Sequence, residues 1–308
     1  MTRTPAVLHR SIQFDINSAI AGRLYRIFVY EPATPPPSLG YPVVVTTDGN
    51  MTFPIMATMA ATFELTGKAA LIVGTGYATD DPIELFTLRN RDLTPPTPLT
   101  NIQSRPGQPP VSIEDYGGSE NFYRFLTEEL RPAIAATWPV NAADQTLYGH
   151  SIAGMFTVGV LLNHPESFRN FVASSPSLWW NKRSAFDDIP AFSRRVRARE
   201  VAPRVLILVG GSEQAVPSEL PASMTEEVAK RIPNAPPSVR RIAVWLVVKK
   251  KMLEYRMVGN ARKLARKLRR IRGGPGYKAG FHVFKGEDHL TALPASIARA
   301  LTFALRSH

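Results

Sequence analysis

The chain has no cysteine at all among its 308 residues. Disulfides, thiolate catalysis and cysteine-ligated metals are therefore excluded together. It also lacks any apolar run approaching the roughly 18 residues that a membrane span requires. The first residues, Met1-Thr2-Arg3-Thr4-Pro5-Ala6-Val7-Leu8-His9-Arg10, have no apolar core of the kind a secretion signal needs, so a cytoplasmic location is the default expectation. Acidic residues are scarce beside basic ones, 25 against 37, leaving a net charge of +12. Such an excess raises nucleic acid as a partner, but its distribution argues against one. Eleven Lys and Arg and a single acid, Glu254, fall between Lys249 and Arg272. In the same segment Met257, Ala261, Leu264, Ala265, Leu268 and Ile271 recur at helical spacing, which predicts a packed surface helix with a solvated basic face; attraction of an acidic substrate or surface is the alternative.

What is present is a 44% hydrophobic content, enough for a substantial core. Leu8–Phe14 and Arg23–Tyr30 alternate apolar and polar residues, as antiparallel strands at a sheet edge do. Tyr41–Thr47, Ala69–Val73, Gln145–Tyr148, Phe171–Ser174, Arg204–Val209 and Phe281–Phe284 are short apolar runs separated by helical stretches such as Ile55–Leu65 and a long amphipathic helix. Ser119 is the expected N-cap of that helix and Pro132 its expected kink. This alternation predicts an α/β fold in one domain, 1–308, with a mainly parallel central sheet and helices on both faces. A proline-rich loop, 94–110, and a basic region, 240–272, stand outside the pattern. Within the latter, Ile242–Val248 is expected as an added strand, a lid or a surface-packed insertion.

In a sheet of this kind ligands bind beyond the carboxyl ends of the strands. Ser151 lies at such an end, in Tyr148-Gly149-His150-Ser151-Ile152-Ala153-Gly154, between a strand and a helix. A sharp bend there exposes a hydroxyl and aims a helix N-terminus at an oxyanion. The plainer alternative is a serine that only caps the helix. A serine needs an imidazole to take its proton, and in this arrangement the base comes last in the chain. Of six histidines, His289 alone sits in a loop after the final strand, so it is the expected base. Glu213, just past Arg204–Val209, is the expected acid to orient it, with a Ser-His pair lacking a strong acid as the fallback. Asp288 is too close along the chain to turn toward its neighbour. The amides of Ile152 and Asn50 are the expected oxyanion donors.

The serine heptapeptide, Ser174-Ser175-Pro176-Ser177-Leu178-Trp179-Trp180, Arg91-Asp92-Leu93-Thr94-Pro95 and Gly286-Glu287-Asp288-His289-Leu290 together resemble the esterase D-like α/β-hydrolases. That family includes the ferric-enterobactin and related siderophore esterases, and the likeness runs from about Tyr25 to Leu305. It implies an α/β-hydrolase fold and carboxylester hydrolysis through an acyl-serine, with no cofactor and no metal. Glu213 matches the glutamate found after the corresponding strand in some members. Arg91, Trp179 and Trp180 are the substrate-side candidates, although paired tryptophans behind a strand also suit a core. Ala153 departs from the family, which carries glycine there. The leading expectation is a serine esterase acting on a small-molecule ester, an anionic siderophore type among the options. A non-catalytic binding protein of this fold and an acyltransferase using the same serine are the alternatives.

Overall fold

A computed structural model describes residues 6–102, 112–215 and 222–305. The loop expected at 94–110 thus lies partly outside the described residues. The chain opens with β1 (Ser11–Ser18), β2 (Arg23–Tyr30) and β3 (Tyr41–Thr47). Next come α1 (Gly49–Glu64), β4 (Leu71–Gly76) and α2 (Pro82–Leu93). The first two strands pair antiparallel, as their alternation predicts, and β2 pairs antiparallel with β4. Helix α2, which ends at Leu93 directly before the proline-rich stretch, has no counterpart among the elements expected from the sequence. Its signal was a capping one: the Asp81 carboxylate accepts from the amides of Ile83 and Glu84, and Pro82 occupies the first turn.

The middle of the chain forms α3 (Ser119–Arg124), α4 (Arg131–Thr137), β5 (Val140–His150), α5 (Ile152–Asn163), β6 (Asn170–Ser174), α6 (Ile189–Arg197) and β7 (Arg204–Gly210). Ser119 is the first helical residue rather than the cap, which is Gly118. Between α3 and α4 the helix widens into a π-type turn, Phe125–Leu130, ending two residues before Pro132, which lacks an N–H for the regular ladder. The carboxylate of Glu129, within that turn, accepts from the hydroxyl of Ser18 and the amides of Ala19 and Ile20, tying the β1–β2 hairpin to the body.

The chain ends with α7 (Ala222–Arg231), α8 (Pro237–Tyr255), α9 (Met257–Arg269), β8 (Lys278–Phe284) and α10 (Ala292–Ala304). Ile242–Val248 is thus helical and not a strand. The basic segment is two helices rather than one, broken at Arg256, whose φ is 45°. The expected stripe from Met257 to Ile271 is buried along α9.

The eight strands among the described residues form one sheet, in the order β1-β2-β4-β3-β5-β6-β7-β8, parallel from β4 onward. Alternate residues of each strand supply two separate cores. Val43, Val45, Leu147, Phe171, Val205 and Ile207 pack under α5, α6 and α9. Val44, Ile72, Tyr148, Val172 and Leu208 pack under α1 and α10. The period of two explains why the central strands read as unbroken apolar runs: both faces are covered. Tyr25, fully buried and 4.1 Å from Phe125 between ring centroids, anchors the first of these cores.

Candidate active site

The bend at the end of β5 holds Ser151 at φ 63° and ψ −119°, a strained conformation for a residue with a Cβ. Two glycines make the strand-to-helix crossing possible. A Cβ on Gly149 would stand 2.2 Å from the Ala153 carbonyl oxygen, and one on Gly154 would stand 2.6 Å from that of Ser174. Ala153 itself is fully buried, so the departure from glycine is absorbed by the core. The Ser151 amide donates to the Ser174 carbonyl at 2.9 Å, and the Ser151 carbonyl accepts from Ser177 at 3.0 Å. The bend is thereby fastened to β6.

The remaining groups arrive from the ends of β7 and β8. His289 Nε2 lies 2.9 Å from Ser151 Oγ, and its Nδ1 lies 2.7 Å from Glu213 Oε2. The other carboxylate oxygen of Glu213 accepts from the Gly210 amide at 2.6 Å and from the Ser175 hydroxyl. Burial pushes this carboxyl up. The hydrogen bond and charge of His289, with the Ser175 and Gly210 donors, outweigh that effect and hold it below the usual glutamate range. Asp288 turns away, accepting from the amides of Leu290 and Thr291. Three residues singled out from widely separated stretches therefore meet in one relay.

Ile152 is the first residue of α5 and Asn50 the second of α1, both in a first turn whose amides have no intrahelical acceptor. Thr46 of β3 pairs with Tyr148 of β5, so the turn at Asp48 leaves the sheet beside the serine. The Asn50 side chain is committed elsewhere, its amide donating to the Tyr77 carbonyl and its oxygen accepting from the Tyr77 N–H. Only its backbone remains to serve an oxyanion. Asp48 sits at φ 56° and is gripped by Arg89 through two hydrogen bonds of 2.9 and 2.6 Å. Sequence reasoning missed Arg89 because α2 was not recognised.

A cavity of about 340 Å³ opens over the serine and is lined by Ser177, Trp179, Met252, Tyr255, Met257 and Leu290 beside Glu213 and His289. Trp179 stacks on Tyr255 with ring centroids 4.4 Å apart. The other two substrate-side candidates are placed differently. Trp180 is buried, its indole N–H donating to Thr97, and it faces a separate cavity behind α5. Arg91 is exposed and does not line the serine cavity; it is its neighbour Asp92 that is buried, against Tyr25, Tyr77 and Arg23. The motif around Arg91 thus supports the core. Beneath the site His150 is buried, with Nδ1 3.0 Å from Ser174 Oγ and its ring 4.8 Å from that of His289. Burial, reinforced by the neighbouring His289, drives its pKa down to about 3, so it stays neutral.

Comparison with known proteins gives the same direction. The "Putative esterase" family model matches residues 103–235. The ferri-bacillibactin esterase BesA of Bacillus subtilis is 31% identical over 94% of this chain and 88% of its own length. The chain belongs to the siderophore-esterase family. A second family member, the siderophore triacetylfusarinine C esterase of Aspergillus fumigatus, is 29% identical over 85% of this chain and 80% of its own. The crystal structure of the BES protein from Bacillus cereus superimposes with a TM-score of 0.78 and 25% identity over the full length of both chains. The fold is the α/β-hydrolase fold, and membership of the siderophore esterases supports hydrolysis of an ester.

Proposed function

We propose that the protein is a serine carboxylesterase whose substrate is a siderophore-type ester. The carrying observation is the continuous hydrogen-bonded relay from the Glu213 carboxylate through His289 to Ser151 Oγ, at the floor of the aromatic-walled cavity. His289 removes the serine proton as Oγ attacks the ester carbonyl. The amides of Ile152 and Asn50 receive the developing negative charge, an effect worth about 3 kcal/mol per donor. His289 then returns its proton to the leaving alcohol, and water, activated by the same imidazole, releases the acid from the acyl-serine. Glu213 fixes the imidazole tautomer and stabilises its cation. The whole chain acts as one catalytic domain in this reading.

Two kinds of support bear on the substrate. The two relatives are named for the siderophores ferri-bacillibactin and triacetylfusarinine C, and the paired rings of Trp179 and Tyr255 offer a flat face to a rigid, ring-bearing ester. The test has two arms. Labelling with a fluorophosphonate modifies the wild type once, at Ser151, and leaves Ser151→Ala untouched; labelling elsewhere discards the nucleophile. A panel of simple acyl esters and ferric and iron-free siderophore esters is hydrolysed with kcat/KM highest on a siderophore. A preference for simple acyl esters discards the substrate class and leaves the chemistry standing.

A further inference from the structure

Helix α8 is apolar on two opposite sides. Val244 and Val248 point inward, where they pack with Ile232, Ala243 and Met252. On the other side Val239, Ile242, Leu246 and Leu253 recur at helical spacing with exposures of 47, 60, 55 and 57%. These four form one outward stripe, the reverse of an ordinary surface helix. Cations flank it: Lys249 lies over the ring of exposed Trp245 at 4.6 Å, and Arg241 and Lys250 are exposed nearby. Helix α9, next in the chain, carries Arg262, Lys263, Arg266, Lys267 and Arg269, all exposed, with no acid among its residues.

We propose that the outward stripe of α8 is a docking surface for an anionic lipid bilayer. A helix lying in the interface sinks an aliphatic stripe among the acyl chains, sets tryptophan at the headgroup level and keeps lysines beside lipid phosphates. The charge argues for this occupant. Two copies of the chain, each at +12, would bring their cationic flanks together across a self-paired stripe, whereas an anionic surface neutralises them. No helix among the described residues is long and apolar enough to cross a membrane, and the attachment proposed is by the surface of α8 alone. Because Met252 and Tyr255 of the same helix line the serine cavity, docking holds that cavity within about 30 Å of the bilayer, the length of α8. The inference does not depend on the reaction proposed above.

Flotation of the full chain with phosphatidylcholine vesicles, with and without phosphatidylglycerol, tests it. The wild type floats with the anionic vesicles, at least about tenfold more tightly than with the neutral ones, and is released by high salt. Trp245 fluorescence shifts to the blue on binding, a change absent in Trp245→Phe. Ile242→Glu with Leu246→Glu, both at exposed positions, lowers binding at least about tenfold while hydrolysis of a soluble ester is unchanged. Lys249→Glu with Lys250→Glu weakens binding and flattens its salt dependence. Absence of binding to anionic vesicles, or equal binding by the Ile242/Leu246 variant, overturns the proposal. So does a wild-type dimer that this variant dissociates, which makes the stripe an interface between copies.

Discussion

Helices α5 and α8 have much in common as sequences, since both are rich in Val, Leu and Ile; α5 begins and α8 ends beside the serine cavity. Their settings differ. Ten of the 12 residues of α5 are buried, against two of the 19 in α8. Helix α5 is covered by the sheet on one side and by α2, α6 and the Trp180 region on the other, whereas α8 leans on a small cluster beside α7. An apolar helix is therefore core or surface according to what the rest of the chain brings to it. Composition alone does not separate the two. Ser151 stands at the N-terminus of the covered helix, and Met252 and Tyr255 of the uncovered one form part of the wall of the same cavity.

The sharpest way to break this contrast begins at the covered helix. Ser151→Ala lowers kcat by about 10⁴ to 10⁶-fold while the thermal midpoint stays within a few degrees of wild type. Retained turnover would remove the serine from the reaction. Glu213→Gln follows, with a loss of about 10² to 10⁴-fold, and it also has a signature in stability. The folded Glu213 pKa lies below its ordinary value of 4.5. Its contribution is complete above that value and is lost as the pH falls through the lowered pKa. Urea midpoints of the wild type thus decline more steeply below pH 4.5 than those of the variant, and parallel curves would contradict the assigned shift.

Smaller effects sharpen the same comparison. Leu161→Ala, in the buried α5, costs about 2–5 kcal/mol by urea unfolding. Leu246→Ala, on exposed α8, stays within about 0.5 kcal/mol. Equal losses would mean that α8 is covered in the free protein. Amide exchange provides the gentlest reading: α8 exchanges by local opening well before α5, whose protection approaches that of global unfolding.

Most of the sheet was legible because its physics is local. Tyr41–Thr47 and Phe171–Ser174 are apolar runs that only a doubly covered strand explains, and they coincide with β3 and nearly with β6. Ser151, His289 and Glu213 were legible for a related reason: each follows a strand, and chain order restricts which group does what. The misses came from contacts made at a distance. Nothing adjacent to Arg89 shows that it will grip Asp48, 41 residues earlier. Trp179 and Trp180 are neighbours with one composition, and the winding of the chain sends one to the serine cavity and the other to Thr97. Ile242–Val248 reads as a strand by its β-branched residues, yet the flanking Pro237 and the run of lysines continue it as a helix.

The imidazole of His289 follows an edge strand, β8, which among the described residues pairs only with β7. Under the proposed mechanism hydrolytic competence therefore arrives last: a nascent chain complete only to Gly210 has the Ser151 hydroxyl and lacks both Glu213 and His289. Under the same mechanism, partial unfolding that peels this margin would silence turnover while the centre endures, so activity would report on the periphery of the sheet before a probe of the core does.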